Sequence, residues 1–430
     1  MKSILFRFLL LYFALQVIPL DIHYYADVFS LPGSHLGYRG LFVLAHYTPR
    51  FFGSTPSFAD WLVVAALALI GSFVWQRRQP QPDWDRWRYW VTAIVRYRLA
   101  IGLLAYGFIK LYPLQAPFPS LSNLNTPYGD FTRWKLFGMS LGIVPSYESF
   151  LGGVEIVAAL LLLYRKTASI GALVIVFFTG NVFMSNLAYE GGEYVYSAYL
   201  VSLALFVLSY DAYRLFSLLV LRQPTAPNTW RLALSRPYLR WGAKAAVILV
   251  FVILYGVSAQ RGYRHDPYQV PGGKGIVTGF YNVSLFRIGR DTLPYSAMDS
   301  IRWTNVVFER WPTISIAANR AAHIDASNTE AITAVSNLDK TYESQGTNGR
   351  SYYDYSFDTA SHVLRLTNKD PRLGYDTLTL RYDRPDSTRI VLSGLSPSHD
   401  SLYVVLDRVD KKYLLEEAAH SGRNNHQLKL

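Results

Sequence analysis

The chain of 430 residues contains no cysteine. Disulfide bonds, thiol nucleophiles and thiolate-bound metals or iron–sulfur clusters are therefore excluded. Any redox chemistry would need a non-covalent cofactor or a partner. Charge is also scarce, since only 17% of the residues are Asp, Glu, Lys or Arg while 51% are hydrophobic. This composition is apolar for a soluble protein of this length, and too polar for a protein that lies wholly in a membrane.

The apolar residues are concentrated in the first part of the chain. Long apolar runs occupy residues 1 to about 257, and none occurs in 258–430. The net charge of +12 is divided in the same way: 258–430 holds 21 basic and 19 acidic residues, and the preceding part holds 21 and 11. Basic residues in short loops between apolar runs are typical of membrane topology signals. We therefore expect a membrane-embedded part, a soluble part, and no nucleic-acid partner.

Seven segments are candidates for membrane-spanning helices, which require roughly 20 mostly apolar residues. They lie near 5–24, 59–76, 91–112, 148–164, 168–186, 194–213 and 243–259. The basic residues favour one set of loops by 14 to 4. This bias predicts a cytoplasmic N-terminus and a C-terminal domain outside, which in a bacterium means the inner membrane and the periplasm. The first segment also resembles a cleavable signal peptide, but no small-x-small cleavage site follows it, so we favour a retained span.

Ionisable residues within predicted spans are candidate site residues, because burying a charge in a membrane is costly. In the third span Arg98, Gly102, Tyr106 and Lys110 recur at intervals of four and would lie on one helix face. The fourth span carries Glu155, which needs a proton or a partner, and either Arg98 or Lys110 would serve. The set is interpreted as a ligand or proton site, as a structural clamp between helices, or as side chains that face lipid by accident.

Other polar residues of the membrane part are weaker candidates. Asn181 in the fifth span is a candidate ligand-binding or proton-relay residue, although amides in spans often only bond across helices. Glu190 and Glu193 lie in a short outer loop, and we expect both to be solvated. Two longer outer loops, 21–58 and 113–147, are rich in Pro, Gly, Tyr and Phe. We expect them to lie on the membrane or to cap the bundle, as a lid or as passive packing.

The stretch from about 91 to 210 resembles the DoxX family of small four-helix membrane proteins. The resemblance rests on RYRLAIGLLAYGFIKL, a long outer loop, and LGGVEIVAALLLLYRKTASIGALV. The matching positions are Arg98, Gly107, Lys110, Glu155, Arg165 and Lys166. The resemblance covers little over a quarter of the chain and implies a four-helix core from spans three to six. One family member is associated with thiosulfate:quinone oxidoreductase, so the resemblance implies a quinone as a possible cofactor of a membrane oxidoreductase system.

This sequence departs from the family pattern in two ways. It adds two leading spans, a seventh span and a large outer domain, and its lack of cysteine argues against sulfur chemistry through a protein thiol. The predicted organisation therefore has four parts. They are two N-terminal helices with a long outer loop at 1–90, the DoxX-like core at 91–213, a cytoplasmic linker with the last span at 214–260, and an extracytoplasmic domain at 261–430.

The C-terminal domain is predicted to be antiparallel and β-rich. Short segments such as TLTLRYD and SLYVVLDRV alternate apolar and polar residues, and turn signals separate them. Their spacing predicts a small barrel or a sandwich. A helix is expected around 293–313. The scattered histidines lack metal-ligand spacing, so no metal site is predicted.

The sequence therefore leaves three functions open. The first is a quinone- or lipid-binding subunit of a membrane oxidoreductase system. The second is a non-enzymatic anchor or assembly protein whose outer domain binds a protein partner. The third is a small-solute transporter, which is least favoured because no inverted repeat is visible.

Overall fold

The computed structural model describes residues 2–30, 37–79, 81–226, 237–266, 268, 275–319, 324, 332, 337–370, 377–396 and 398–421. Contacts between residues divide the chain into two units. The helical unit comprises Met1–Ala116 and Val144–Arg264, and the barrel unit comprises Pro117–Ile143 and His265–Leu430. The predicted linker within 214–260 includes residues 227–236, which lie outside the described residues.

The helical unit is built from long apolar helices with short connections. Its helices are α1 Lys2–Val17, α2 Ile22–Ser30, α3 Tyr38–Ala45, α4 Phe58–Arg78, α5 Trp84–Leu111, α8 Pro145–Leu163, α9 Ala168–Ala188, α10 Tyr194–Ser209, α11 Ala212–Leu219, α12 Pro237–Val247 and α13 Tyr255–His265, with a π-helical stretch Ile248–Leu254 between the last two. The two short helices α6 Leu121–Leu124 and α7 Arg133–Gly142 come between α5 and α8 in the chain and belong to the barrel unit.

Six described helical stretches are long and apolar enough to cross a bilayer. They are Ile4–Ser30, Phe58–Arg78, Trp84–Leu111, Pro145–Leu163, Ala168–Ala188 and Trp241–His265. The pair α10 and α11, bent by 75°, would make a seventh if it acts as one span. The predicted bundle of about seven spans is thus confirmed, and the protein belongs to the multi-pass membrane proteins. Many of the large apolar side chains on these helices are exposed, as contact with lipid requires.

Four helices form the centre of the helical unit. Helix α5 packs against α8, α8 against α9, α9 against α10, and α10 back against α5, while α1 packs on α4 and α5. Glycine allows the closest of these approaches. A Cβ atom added to Gly152 of α8 would lie 2.3 Å from the backbone nitrogen of Leu111 and 2.5 Å from the carbonyl oxygen of Gly107 on α5. Small residues at a helix contact let the two backbones approach in this way.

The described residues of the barrel unit form nine strands. They are β1 Gly279–Ile288, β2 Asp291–Thr292, β3 Trp303–Phe308, β4 Thr313–Ala318, β5 Arg350–Asp358, β6 Val363–Asn368, β7 Thr377–Asp383, β8 Arg389–Leu395 and β9 Ser401–Val409. A 3₁₀ helix Tyr128–Asp130 and the helix α14 Leu414–Ser421 complete the unit. Every pairing is antiparallel in the order β2-β1-β3-β4-β5-β6-β7-β8-β9, and β1 also pairs with β9.

The pairing of β1 with β9 closes eight strands into a barrel, to which β2 adds a short hairpin. Closure gives each of the eight barrel strands a neighbour on both sides, so that the barrel itself has no free sheet edge. Alternate residues point inward, as the burial pattern of β7 illustrates. The inward side chains, among them Tyr281, Phe308, Leu364 and Val404, form one apolar core. The expected β-rich domain is confirmed as a barrel.

One expectation about local structure was wrong. Residues 303–308 form β3 between β1 and β4, and no helix covers 293–302. Short apolar runs fit a buried strand as well as a helix face, and here strand partners on both sides decided the outcome. The central part of the outer loop 113–147, Pro117–Ile143, groups with the barrel unit.

Candidate ligand site in the helical unit

Helix α5 carries the predicted stripe of polar residues through the middle of the helical unit. Gly102 faces α10, because a Cβ atom at this position would lie 2.6 Å from the Tyr196 hydroxyl oxygen. Tyr106 lies one turn further along, with its ring centroid 5.6 Å from that of Tyr196. Lys110 lies one turn beyond, with its ammonium 5.5 Å from the centre of the Tyr106 ring. The stripe thus runs along one face of α5, as the spacing predicted.

Glu155 of α8 is paired with Lys110. Lys110 Nζ lies 2.5 Å from Glu155 Oε1, and the two side chains are only 11% and 4% exposed. The sequence left Arg98 and Lys110 open as partners, and the close packing of Gly107 against Gly152 brings Lys110 into reach. The second carboxylate oxygen, Oε2, is buried without a hydrogen-bond partner among the described residues. Such an atom can accept a hydrogen bond from a bound molecule.

Arg98 has a different environment from Lys110. Its two terminal nitrogens each lie 2.5 Å from a backbone oxygen, one of Ala45 and one of Tyr47. Ala45 ends α3, and the last carbonyl groups of a helix have no donor within the helix. Arg98 supplies these donors and stacks near the Tyr47 ring at 5.5 Å. The Arg98 guanidinium therefore holds the chain after α3 against α5, which is a positioning role.

His46 and Glu193 extend the polar stripe, although the sequence did not single them out. His46 Nε2 lies 3.2 Å from Glu193 Oε2, and the imidazole lies 4.1 Å from the Tyr196 ring. The Tyr106 ring lies beside the imidazole, with a distance of 5.7 Å between the two ring centroids. The expectation that Glu193 is solvated was wrong, since its side chain is only 19% exposed. Because His46 and Glu193 lie 147 positions apart, no local sequence pattern could have paired them.

The carboxyl group of Glu193 ionises readily in this environment. Burial raises the pKa of its carboxyl group, but attraction to His46 and the hydrogen bond with His46 outweigh burial, so the pKa is lowered. The carboxylate form is therefore the stable one next to the imidazole. A histidine beside a carboxylate is a common means of moving a proton near neutral pH.

Glu155, Lys110, Tyr106, His46 and Glu193 are successive neighbours, and we call them the polar row. Aromatic rings line it, with Phe42 5.3 Å from both Tyr106 and His46. Ring faces, hydrogen-bond donors and one partnerless carboxylate oxygen suit a flat molecule with polar oxygens. The acid and base groups are also of the types that transfer protons to a bound reactant.

Asn181 does not belong to this row. Its side chain is exposed on α9, and its backbone oxygen accepts a hydrogen bond from Ser185. The buried amide of α9 is Asn186, whose Nδ2 donates to the Val182 carbonyl one turn earlier. Among the predicted candidates, the structure therefore brings Tyr106, Lys110 and Glu155 together.

The barrel unit contains a second group of buried charges. Glu343 pairs with Lys369 at 2.5 Å, and both side chains are almost completely buried. Glu309 accepts hydrogen bonds from the backbone nitrogens of Leu121 and Ser122 at 3.1 and 2.8 Å. Burial raises the pKa of Glu309 in spite of these hydrogen bonds. The hydrogen bonds to Glu309 hold the segment that contains α6 against the outside of the barrel.

The same segment makes further contacts with the barrel unit. The Thr132 backbone nitrogen donates to the Gly346 carbonyl at 2.8 Å, and that of Asn348 donates to Asp130 at 2.9 Å. Asn123 Nδ2 donates to the Glu343 carbonyl at 2.9 Å. The buried charges of the barrel unit thus have protein partners and form a structural junction. Glu155 of α8, in contrast, keeps one carboxylate oxygen without a hydrogen-bond partner among the residues that the structure describes.

Together, the two units define a multi-pass helical membrane protein with a closed eight-stranded antiparallel barrel as its second unit. Comparison of the chain with protein-family models, with curated proteins and with solved structures finds no match.

Proposed function

We propose that the helical unit binds a quinone or a similar lipid-soluble carbonyl compound, as a subunit of a membrane oxidoreductase system resembling the DoxX family. The observation that carries the proposal is the buried Lys110–Glu155 pair, whose second carboxylate oxygen has no hydrogen-bond partner within the described part of the chain. A quinol hydroxyl would donate to this oxygen, and the Lys110 ammonium would donate to a quinone oxygen. The rings of Phe42 and Tyr106 would contact the flat face of the ring system.

Reduction of a quinone to a quinol requires two electrons and two protons. In this proposal a partner redox protein supplies the electrons, and the chain supplies and replaces the protons. Lys110 is placed to protonate a quinone oxygen, with Glu155 holding the ammonium in position. Tyr106, Glu193 and His46 then form the route by which the pair regains a proton.

The test is quinone binding by the full-length protein in detergent. A fluorescent or tritiated short-chain ubiquinone analogue is titrated into the wild type, Glu155→Gln, Lys110→Met and the control Glu190→Gln. Glu190 is exposed and is not one of the proposed binding residues. Glu190→Gln therefore removes one negative charge, as Glu155→Gln does, and leaves those residues intact. We expect Glu155→Gln and Lys110→Met to weaken binding by about tenfold, the value of one lost charge-assisted hydrogen bond. Equal affinity in all four proteins would refute the proposal.

We further propose that the protein lies in the inner membrane of a bacterium, with its N-terminus in the cytoplasm and the barrel in the periplasm. The excess of basic residues in one set of loops supports this orientation. The barrel would then be available to a partner protein on the outer face.

A second candidate function, a membrane anchor whose barrel binds a protein partner, is favoured by one loop. Tyr295, Met298 and Ile301 between β2 and β3 are 67%, 95% and 57% exposed. The loop is nevertheless fixed, because Arg302 donates hydrogen bonds to backbone oxygens on both sides of it, including Leu293 at 3.0 Å. A rigid loop that presents three large apolar side chains is typical of an interaction site.

This alternative is separated from the first by a co-purification experiment. A partner that remains bound in Glu155→Gln and is lost in Met298→Asp would support the anchor function. A partner that is lost in Glu155→Gln and retained in Met298→Asp would support the quinone-linked function.

A further inference from the structure

A group of cations lies at the end of the helical unit where α5 begins. Arg88 and Arg96 are on α5, Arg165 is in the turn between α8 and α9, and Lys244 is on α12. All four side chains are half-buried. Lys244 Nζ lies 5.3 Å from the ring of Tyr164, the residue before Arg165. Two helices and a turn thus bring their basic side chains to one region, together with Tyr210 after α10.

Tyr210 holds two of the guanidinium groups. Arg88 Nη2 donates to the carbonyl oxygens of Ser209 and Tyr210 at 3.0 and 3.1 Å, and its guanidinium lies 4.6 Å from the Tyr210 ring. Arg165 Nη2 donates to the Tyr210 hydroxyl at 3.2 Å, with its guanidinium 5.8 Å from the rings of both Tyr89 and Tyr210. Arg88 is therefore fixed by neutral groups, which leave its positive charge in place.

Arg96 adds a third guanidinium. It lies seven residues after Tyr89 and so on the same face of α5, and it is close enough to Arg165 for their charges to repel. Its Nε is buried without a hydrogen-bond partner among the described residues. Within the described part of the chain, no carboxylate forms an ion pair with Arg88 or Arg96. A guanidinium stays protonated at any physiological pH, so this positive charge calls for an anion.

The acidic residue beside Tyr210 does not supply that anion. Asp211 is held by Arg214 at 2.9 Å and by the Ser169 hydroxyl at 2.7 Å. We propose that Arg88, Arg96 and Arg165 bind the phosphate of an anionic phospholipid head group. Guanidinium groups match phosphate oxygens with paired donors, and basic pockets between membrane helices are a recurring site for such lipids.

Topology signals alone do not account for this arrangement. A signal that orients a helix acts through its charge near the membrane surface and needs no fixed geometry. Arg77 and Arg78 at the end of α4 fit that description, because both are exposed. The cations around Tyr210 are instead half-buried and held by named hydrogen bonds. The exposed pair therefore provides a charge-matched control.

The experiment is native mass spectrometry of the full-length protein with phosphatidylglycerol, with zwitterionic phosphatidylcholine, and with inorganic phosphate. We expect one tightly held phosphatidylglycerol, and about fivefold weaker binding for each of Arg96→Gln and Arg165→Gln, since one cation near an anionic lipid contributes on that order. Arg77→Gln should bind like the wild type. Arg96→Lys should bind more tightly than Arg96→Gln but more weakly than the wild type, because lysine keeps the charge and loses the paired donors.

Three results would overturn the proposal. They are equal binding of phosphatidylglycerol and phosphatidylcholine, an equal loss in Arg77→Gln and Arg96→Gln, and displacement of the lipid by millimolar inorganic phosphate, which would assign the site to a free anion. Far-ultraviolet circular dichroism of each variant checks that its helices are intact. If Arg96→Gln does not fold, the comparison of Arg165→Gln with Arg77→Gln decides the matter. Quinone binding is not involved, so the outcome is independent of the proposed function.

Discussion

At the residue scale, the basic side chains of α5 differ in what compensates their charge. Lys110 meets a carboxylate, Arg98 meets two backbone carbonyl oxygens, and Arg96 has no acidic partner among the described residues. A single helix thus carries a buried ion pair, a positioning contact and a candidate anion site. The sequence shows that burying a charge at each of the three positions is costly. Only the neighbouring residues in the structure show how each charge is compensated.

The Lys110–Glu155 pair can be measured by a double-mutant cycle. Lys110→Met leaves a buried carboxylate without its partner and should destabilise the helical unit by about 3–5 kcal/mol. The double change Lys110→Met/Glu155→Leu should recover most of that loss, because no unpaired charge remains. Unfolding by sodium dodecyl sulfate in mixed micelles measures the free energies. Additive effects of the two changes would show that the pair does not act as a unit.

Lys135 on α7 predicts a pH dependence of the barrel unit. Burial lowers the pKa of its ammonium to about 7, although Glu343 attracts the proton. Between pH 7 and the ordinary value of 10.5 the unfolded chain binds more protons than the folded one, so stability should rise with pH. The slope contributed by this one lysine is at most about 1.4 kcal/mol per pH unit. Pulse proteolysis in urea at pH 7, 8 and 9 measures it.

Two variants separate this effect from the other ionisable groups. Lys135→Met should remove the rise between pH 7 and 9, whereas Lys412→Met, at an exposed lysine of the same unit, should leave it unchanged. A flat stability profile in the wild type, or the same profile in Lys135→Met, would contradict the lowered pKa.

At the element scale, α5 and α8 depend on glycine for their close contact. Any Cβ atom at Gly152 would collide with the α5 backbone, but one at the adjacent Gly153 would meet nothing within 4 Å. The two neighbouring glycines therefore differ only in the face they occupy. The contact also sets the register in which Lys110 reaches Glu155.

Substitution at these glycines should have opposite effects. Gly152→Ala should destabilise the helical unit by about 1–3 kcal/mol, because the helices must separate. Gly153→Ala should be neutral or stabilise it by up to about 1 kcal/mol, since alanine is the better helix former. The thermal unfolding midpoint in detergent reports both. A smaller loss for Gly152→Ala than for Gly153→Ala would show that the α5–α8 contact is looser than described.

At the scale of the whole molecule, the chain enters the barrel unit twice. Pro117–Ile143, between two membrane helices, contributes to the same unit as His265–Leu430. The contacts of Ser122 and Thr132 with the later part of the chain are the physical basis of this grouping. Deletion of the C-terminal part would therefore leave that segment without its partners.

The absence of cysteine allows the predicted orientation to be tested by labelling. Ser387→Cys in the barrel unit and Gln223→Cys after α11 are both exposed positions. In intact cells with a permeable outer membrane, a membrane-impermeant maleimide should label Ser387→Cys, and should label Gln223→Cys only after lysis. The reverse result would place the N-terminus and the barrel on the opposite sides from those the basic loops predict.

The sequence by itself determined the division into an apolar and a soluble part, the approximate membrane helices, the polar stripe of α5 and the strand alternation of the barrel. Each of these features follows from composition or from the periodic spacing of residues along one helix or strand, and both can be read from a short stretch of sequence. Only the tertiary structure decided that Lys110 pairs with Glu155, that His46 lies against Glu193, and that the segment around α6 belongs to the barrel unit. These contacts join residues that are distant in the chain, and packing between elements brings them together.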